Sequence, residues 1–151
     1  MLELAREADF EAVNRIAAQV HNLHVSWRPD LYCHTDCLFS ADYYAEAVGE
    51  KRLFVAKRDG IVVGFVLFAI WVTGGSGNVK RRILQIDSIA VEESCRGQGI
   101  GREIMEDIRA LAKVRGCTDI QLSVYPQNDA AVTFYQKCGF TIRNINMQRK
   151  V

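Results

Sequence analysis

The sequence has almost no net charge. It contains 19 lysines and arginines against 18 aspartates and glutamates, which gives a formal net charge of +1 at pH 7. Attraction to nucleic acid or to an anionic membrane needs a strong excess of basic residues, because it depends on negatively charged phosphates. The composition therefore argues against both partners, and it contains no nucleic-acid recognition motif. Any cationic site must be local.

Long hydrophobic runs are also missing. The apolar stretch at residues 61–72 is well short of the roughly twenty residues that a membrane helix needs. Residues 1–6 lack the basic and apolar blocks of a signal peptide. The five cysteines are an odd set without a paired framework, which favours a reducing compartment. We therefore expect a cytoplasmic protein without a membrane segment.

A metal site is not expected either. The segment Cys33-His34-Thr35-Asp36-Cys37 contains ligand-type side chains. It has no matching second pair of ligands elsewhere in the sequence, and structural zinc sites need four.

A single domain covering residues 1–151 fits the 151-residue length and the hydrophobic content of 49%, which suffice for one core. Hydrophobic spacing and capping residues predict elements in the order β-α-α-β-β-β-α-β-α-β. This order is typical of an α/β (α+β) domain with a mixed sheet and helices on both faces. Residues 21–39 are predicted to be irregular and residues 74–77 to form a flexible loop. The predicted strands after residue 80 are 82–91, 118–125 and a last one after the final helix.

The most informative segment is Arg96-Gly97-Gln98-Gly99-Ile100-Gly101. It follows an apolar strand and opens an amphipathic helix. A helix N-terminus has unpaired N–H groups and a partial positive charge, and glycines let phosphate oxygens approach those donors. The segment therefore predicts a phosphorylated ligand.

Two common phosphate loops do not fit this segment. A P-loop requires Gly-Lys followed by Ser or Thr, whereas Gly101 is followed by Arg102-Glu103. The dinucleotide fingerprint requires its third glycine three residues after the second, and position 102 is arginine. Only about fifty residues follow, too few for the rest of a doubly wound sheet.

The pattern Arg-x-x-Gly-x-Gly instead resembles the pyrophosphate-binding motif of GNAT N-acetyltransferases, which bind acetyl-CoA. Residues 128–140 support this independently, since they resemble the segment Asn-x-x-Ala-x-x-Phe-Tyr-x-x-x-Gly-Phe of the same superfamily. The resemblance is specific over residues 83–140. It implies a GNAT-like, mostly antiparallel central sheet with helices on both faces.

The resemblance also implies a cofactor site. The strand before the glycine loop splays from its neighbour in GNAT enzymes, so its backbone binds pantetheine and polarises the acetyl carbonyl. The loop backbone would hold the pyrophosphate, and Arg102 would reach towards the 3′-phosphate. Asn128 would contact acetyl-CoA, cap its helix, or do both. The implied cofactor-binding residues are Ile89, Ala90, Val91, Arg96, Gly97, Gln98, Gly99, Ile100, Gly101, Arg102, Asn128 and Tyr135.

Two residues are candidates for catalysis. Tyr135 stands where GNAT enzymes place a phenol near the CoA sulfur. A phenol has a pKa of about 10 and a thiol of about 8.5, so both hydrogen bonding to the thiolate and general acid catalysis stay open. Asp87 is the candidate base, because several amine acetyltransferases carry an acidic residue on this strand. If Asp87 faces away from the groove, bulk water or an acceptor-loop residue such as His24 is the alternative proton acceptor.

The acceptor would be bound by the loop between the first two helices. Its candidate residues are His21, His24, Trp27, Arg28, Asp30 and Tyr32. Only eleven residues follow Phe140, so we expect a shorter last hairpin and a more open acceptor groove than the resemblance to GNAT enzymes implies.

The predicted activity is transfer of an acetyl group from acetyl-CoA to a primary amine, by direct attack on the thioester without a metal. A small molecule or a protein amino group both fit, and a monomer or a homodimer stays open. The alternative is a catalytically silent acetyl-CoA-binding module.

Overall fold

The structure, a computed structural model, describes residues 2–151. Its five strands form one sheet in the order β1-β2-β3-β4-β5. All neighbouring strands are antiparallel except β4 and β5, which are parallel. The strands are β1 (Leu2–Leu4), β2 (Leu53–Arg58), β3 (Ile61–Gly75), β4 (Asn78–Val91) and β5 (Asp119–Gln121). The helices are α1 (Phe10–Trp27), α2 (Ala41–Gly49), α3 (Ile100–Val114) and α4 (Asp129–Lys137).

The core lies on both faces of this sheet, which confirms the predicted fold class. On one face α1 and α2 pack against apolar side chains such as Phe65 and Leu67. On the other face α3 and α4 pack against side chains such as Phe68 and Ile86. The amphipathic spacing of α3 explains its place, because Ile100, Ile104 and Ile108 lie on one stripe and are all buried.

Two local predictions are wrong. Residues 21–27, predicted to be irregular, are the last turns of α1, because Val20, His24 and Trp27 continue the spacing of one helix face. Residues 74–77 were predicted to be a flexible loop. Instead β3 runs to Gly75 and β4 starts at Asn78, so only residues 76–77 form the turn of a long hairpin. Glycines with φ of 144° at Gly75 and 83° at Gly77 allow this tight reversal.

The predicted last strand is also absent from the described residues. Strand 118–125 is shortened to β5, and residues 140–151 form no ladder. Beyond Gln121 the chain leaves β4, so β5 is only three residues long and offers a short edge to a further strand. The tail contacts this edge through a side-chain hydrogen bond from Arg143 to Gln121 at 3.4 Å.

No helix among residues 2–151 is long and apolar enough to cross a bilayer.

Candidate active site

A wedge-shaped opening separates β4 from the chain that follows β5. The two strands pair only from Ile83 to Gln85, whereas β4 continues along β3 to Val91. The N–H of Glu92 donates to the oxygen of Val63 on β3 at 2.9 Å. Because backbone groups alternate along a strand, those of Ile89 and Val91 point away from β3 into the opening. The structure thus has the splayed geometry that the resemblance implied.

The glycine loop lies at the end of this opening. Gly97 and Gly99 have φ of 75° and 86°, and an added Cβ at either position would meet no atom within 4 Å. Both glycines are therefore required by backbone conformation rather than by packing. Gly99 is the N-cap of α3 and offers no side-chain cap. The first N–H groups of α3 thus face outward from a helix terminus with a partial positive charge.

Gly101 has a different role. A Cβ at this position would lie 3.2 Å from the Phe134 ring of α4. This glycine lets α4 pack closely on the first turn of α3. A larger residue at this position would push the two helices apart. The sequence motif alone does not separate this glycine from Gly97 and Gly99.

The predicted arginines take different positions around the loop. The Nε of Arg96 donates to the Val91 oxygen at 3.0 Å, so this side chain folds back over its own loop. Arg102 lies near Cys138, the C-cap of α4. Burial raises the pKa of that thiol, and the positive charge of Arg102 opposes the effect. Gln98 donates to the Ser94 oxygen at 3.3 Å, which braces the turn before α3.

Helix α1 anchors the turn that enters the loop, a feature that the sequence analysis missed. Arg15 forms an ion pair with Glu92, and the Nε2 of Gln19 donates to the same carboxylate at 2.5 Å. The Oε1 of Gln19 accepts from the N–H of Glu93 at 3.0 Å. Partial burial raises the pKa of the Glu92 carboxyl, but the hydrogen bonds from Gln19 and Arg15 outweigh it and lower the pKa overall. No sequence signal distinguished these polar helix positions from solvated ones.

Tyr135 lies on α4 on the α3 side of the sheet. Its ring contacts Phe134 and Phe140, with centroids 5.3 and 5.8 Å away. Burial raises the pKa of its hydroxyl to about 12, with a smaller contribution from Cys138. The hydroxyl therefore keeps its proton at neutral pH. The cap at the start of α4 is Asn128, whose Oδ1 accepts from the N–H of Ala131 at 3.1 Å.

Asp87 is the extra residue of a β-bulge. Leu67 pairs with Ser88 and Phe68 pairs with Ile86, so no residue of β3 stands opposite Asp87. This bulge lies just past Gln85, where β4 and β5 separate. A bulge changes the direction in which the side chains of the bulged strand point. Asp87 keeps solvent access, yet partial burial raises the pKa of its carboxyl, while the charge of Arg52 opposes the shift.

Asp87 and Tyr135 lie on opposite faces of the sheet. Ile86 and Ile89 both belong to the α3 side of the core, and Leu67, opposite Ser88, belongs to the α1 side. The bulge therefore directs the segment that contains Asp87 towards α1 and α2. Tyr135 packs on the α3 side.

Four rings form an aromatic cluster beside the opening: His24, Trp27, Tyr32 and Tyr125. The hydroxyls of Tyr32 and Tyr125 are 2.5 Å apart, and the His24 ring lies 5.4 Å from that of Tyr125 and 5.6 Å from that of Trp27. All four are half-buried. Burial, with the nearby His21, lowers the pKa of His24, which favours its neutral imidazole. His24, Trp27 and Tyr32 were predicted from the sequence as acceptor-site residues, whereas Tyr125 was not.

Arg28 and Asp30 lie next to this cluster. The guanidinium makes two hydrogen bonds to the carboxylate, at 2.9 and 2.8 Å, and a third to Gln148 of the tail at 3.0 Å. The bond from Arg28 lowers the pKa of Asp30 to about 2. Both charges are therefore already engaged with each other.

Two asparagines of α1 hold the α1–α2 loop in place. Asn14 is buried and donates to the Phe39 oxygen at 3.2 Å while it accepts from the Phe39 N–H at 2.8 Å. Asn22 makes the same pair of bonds to Thr35, at 3.0 and 3.3 Å. Side-chain amides thus replace the backbone partners that the loop lacks.

Asn14→Ala should reduce the free energy of unfolding by roughly 1–3 kcal/mol, because both backbone groups of Phe39 lose their partner in a buried place. Urea denaturation measures this loss. Asn22→Ala is the matched control and should cost less, since Thr35 is only half-buried. Equal losses in the two variants would show that burial of the Phe39 pair has no special importance.

Among residues 2–151 no group of three or more histidine, cysteine, aspartate or glutamate side chains could hold a metal ion.

Comparison with known proteins gives the family. The profile described as "Acetyltransferase (GNAT) family" matches residues 3–140. The chain therefore belongs to the GNAT acetyltransferase family, as the two sequence motifs predicted.

Individual relatives agree with this assignment. The chain is 29% identical over 128 residues to spermine/spermidine N(1)-acetyltransferase from Bacillus subtilis, which covers 82% of this chain and 80% of that protein. A mutant of the BH1408 protein from Bacillus halodurans has a TM-score of 0.95 at 26% identity, covering 100% of this chain and 99% of that one. The aminoglycoside N-acetyltransferase AAC(6')-Iy in complex with CoA shares the fold, with a TM-score of 0.67 at 19% identity and coverage of 100% and 99%.

The matches cover only part of some curated relatives. In two of them the aligned region spans 42% and 62% of the relative's length.

Proposed function

We propose that this protein transfers an acetyl group from acetyl-CoA to a primary amine by direct attack on the thioester. The observation that carries the proposal is the opening beside β4, which ends at the uncapped N-terminus of α3. It offers backbone N–H groups in two places: along Ile89 and Val91, and at the glycine loop. An elongated ligand with amide groups at one end and phosphates at the other fits this donor set.

The residues present therefore fit acetyl-CoA. The loop from Gly97 to Gly101 would hold the pyrophosphate, and Ile89 and Val91 would bind the pantetheine. When bound, acetyl-CoA supplies a thioester, so that a C–N bond forms to the amine, the C–S bond breaks and the amine loses one proton. The CoA-bound relative of the same fold supports this choice of ligand.

The two remaining catalytic tasks, removal of the amine proton and stabilisation of the leaving thiolate, are assigned to opposite faces of the sheet. Asp87 lies on the α1 side, where it would accept the amine's proton through water. Its raised pKa makes it a better base than an ordinary exposed carboxylate. His24, whose lowered pKa favours the neutral imidazole, is the second candidate base on that side.

Tyr135 lies on the α3 side and would serve the leaving thiolate. Its pKa of about 12 lies well above that of a thiol, so full proton transfer is uphill and a hydrogen bond is the favoured form of assistance. In this proposal the amine attacks from the α1 side and the thiolate leaves towards the α3 side.

The five free cysteines support the further proposal that the protein works in a reducing compartment such as the cytoplasm.

Tyr135→Phe should lower kcat by at least about tenfold and leave acetyl-CoA affinity nearly unchanged, because only a contact made in the transition state is lost. Measurement of CoA release with saturating amine, together with calorimetric titration of acetyl-CoA, separates the two parameters.

Tyr44→Phe is the matched control for this variant. Tyr44 also has a pKa raised to about 12, chiefly by burial, but its hydroxyl donates to the Arg6 oxygen in the opposite core. It should reduce stability by about 1 kcal/mol and leave kcat unchanged. Wild-type turnover in Tyr135→Phe would end the catalytic role of this tyrosine, and a parallel loss of affinity would identify it as a packing residue.

A further inference from the structure

We propose that the acceptor is an aromatic primary monoamine whose ring binds against the aromatic cluster of His24, Trp27, Tyr32 and Tyr125. This inference rests on the proposed acetyl transfer and names the substrate class for the same site. It does not extend the polyamine activity of the Bacillus subtilis relative to this chain.

The cluster lies on the rim of the opening, on the face from which the amine would attack. Tyr125 belongs to the chain that leaves β4 after Gln121, and its hydroxyl meets Tyr32 of the α1–α2 loop. His24 and Trp27 occupy the last turns of α1. Asp87 emerges from the bulge on the same side of the sheet. The cluster therefore joins the end of α1 and the α1–α2 loop to the chain that borders the opening.

The rings offer flat apolar surface to a ligand. Their centroids are 5.4–6.2 Å apart in tilted and edge-on arrangements, and each ring retains solvent access. A fifth ring can add to such a group in the same geometry, since aromatic pairs prefer centroid separations of about 4.5–7 Å. Aromatic faces also attract an ammonium group, which any amine acceptor carries before it loses its proton.

The charges near the cluster do not suit a polycation. Binding of a polyamine or an aminoglycoside requires several unpaired carboxylates. In the α1–α2 loop Asp30 is held by both nitrogens of the Arg28 fork, and Asp36 points into solvent, 92% exposed. Arg28 binds the tail at Gln148, and the charge of Lys150 contributes to the lowered pKa of Asp30. Arg28 and Lys150 thus already offset the charge of Asp30 beside the rings, and Asp87 would serve the reacting amine.

The test compares acceptors matched in charge and length. CoA release should give a kcat/KM for phenethylamine about fivefold to tenfold above that for cyclohexylethylamine, which differs only in the aromaticity of its ring. The kcat/KM for spermidine should be at least about tenfold lower than that for phenethylamine, because the second and third charges of spermidine find no partner. In Trp27→Leu the preference for the aromatic amine should fall to within about twofold, whereas Trp27→Phe should keep most of it.

A binding measurement gives a readout that does not require turnover. The chain has two tryptophans, and Trp71 lies half-exposed on β3, away from the opening. In Trp71→Phe the fluorescence reports on Trp27 alone, and phenethylamine should quench it at lower concentration than cyclohexylethylamine or spermidine.

The outcomes separate this inference from the acetyl-transfer proposal. Higher kcat/KM for spermidine than for every aromatic amine, or an unchanged ranking in Trp27→Leu, would overturn the acceptor class and leave acetyl transfer intact. Absence of turnover with any amine would overturn acetyl transfer, and the fluorescence titration would then decide the binding site by itself. Quenching that is equal for all three amines would overturn the aromatic site.

Discussion

Gly99→Val should abolish the thermal stabilisation of this protein by acetyl-CoA. At a hundred times its Kd a ligand adds about 2.7 kcal/mol to the free energy of unfolding, and the whole of this increment should disappear. Gly99 has a φ of 86° and caps α3. Valine at such a φ distorts the loop and covers the N–H groups that would bind the pyrophosphate. Differential scanning fluorimetry with and without acetyl-CoA measures the shift.

Gly116→Val is the matched control. Gly116 follows the other end of α3, has a φ of 69° and, like Gly99, meets no atom within 4 Å of an added Cβ. Both substitutions therefore impose similar backbone strain on the free protein, but only Gly99 lies at the proposed anion site. Gly116→Val should melt earlier and keep the full shift. An undiminished shift in Gly99→Val would remove the phosphate-loop assignment, and loss of the shift in both variants would attribute it to strain alone.

The parts of the site that the sequence predicted are those determined by local backbone conformation. The left-handed conformation of Gly97 and Gly99 is a local requirement, so a glycine pattern after a strand reveals it. The cap of α4 by Asn128 is local in the same sense, since donor and acceptor are three residues apart. Such features leave a signal that does not depend on the rest of the chain.

The missed parts depend on contacts between distant residues. Tyr125 meets Tyr32 across 93 positions of the sequence, and Gln19 meets Glu93 across 74. Neither pair differs locally from solvated surface residues. The extent of α1 is a different case, because the spacing of His24 and Trp27 already continued the helix. There the many polar and aromatic residues at 21–39 led to a wrong prediction.

The bulge at Asp87 could likewise not be predicted from the sequence. Regular alternation would place residues 86 and 88 on the same face, whereas the extra residue sends Ile86 to the α3 side and Ser88 to the α1 side. Register against β3 determines this shift, and register is a property of two strands. The role of Asp87 could therefore be proposed from its strand, but its orientation required the structure.

Asp87→Asn should lose most activity at neutral pH, by roughly 10²–10⁴-fold, and recover part of it as the pH rises. An alkylamine with a pKa near 10 is neutral in about one molecule per thousand at pH 7, so a base that removes its proton has a large effect. In the wild-type protein Asp87 must be ionised to act. Partial burial raises its pKa, so activity should be lost on acidification at a higher pH than an ordinary carboxylate would give. The Asp87→Asn variant should lack this loss of activity on acidification, the acidic limb of the pH–rate profile. Its rate should instead follow the ionisation of the amine itself.

Asp119→Asn is the control for this profile. Asp119 lies on β5 at the closed end of the wedge, where it pairs with Arg81 at 3.7 Å and opposes Ile83. Its loss should leave both kcat and the pH profile as they are in the wild type. An Asp87→Asn variant that retains the wild-type acidic limb would exclude this carboxylate as the base. The neutral imidazole of His24 would then be the remaining candidate on the α1 side, and His24→Gln should remove the limb that Asp87→Asn left in place.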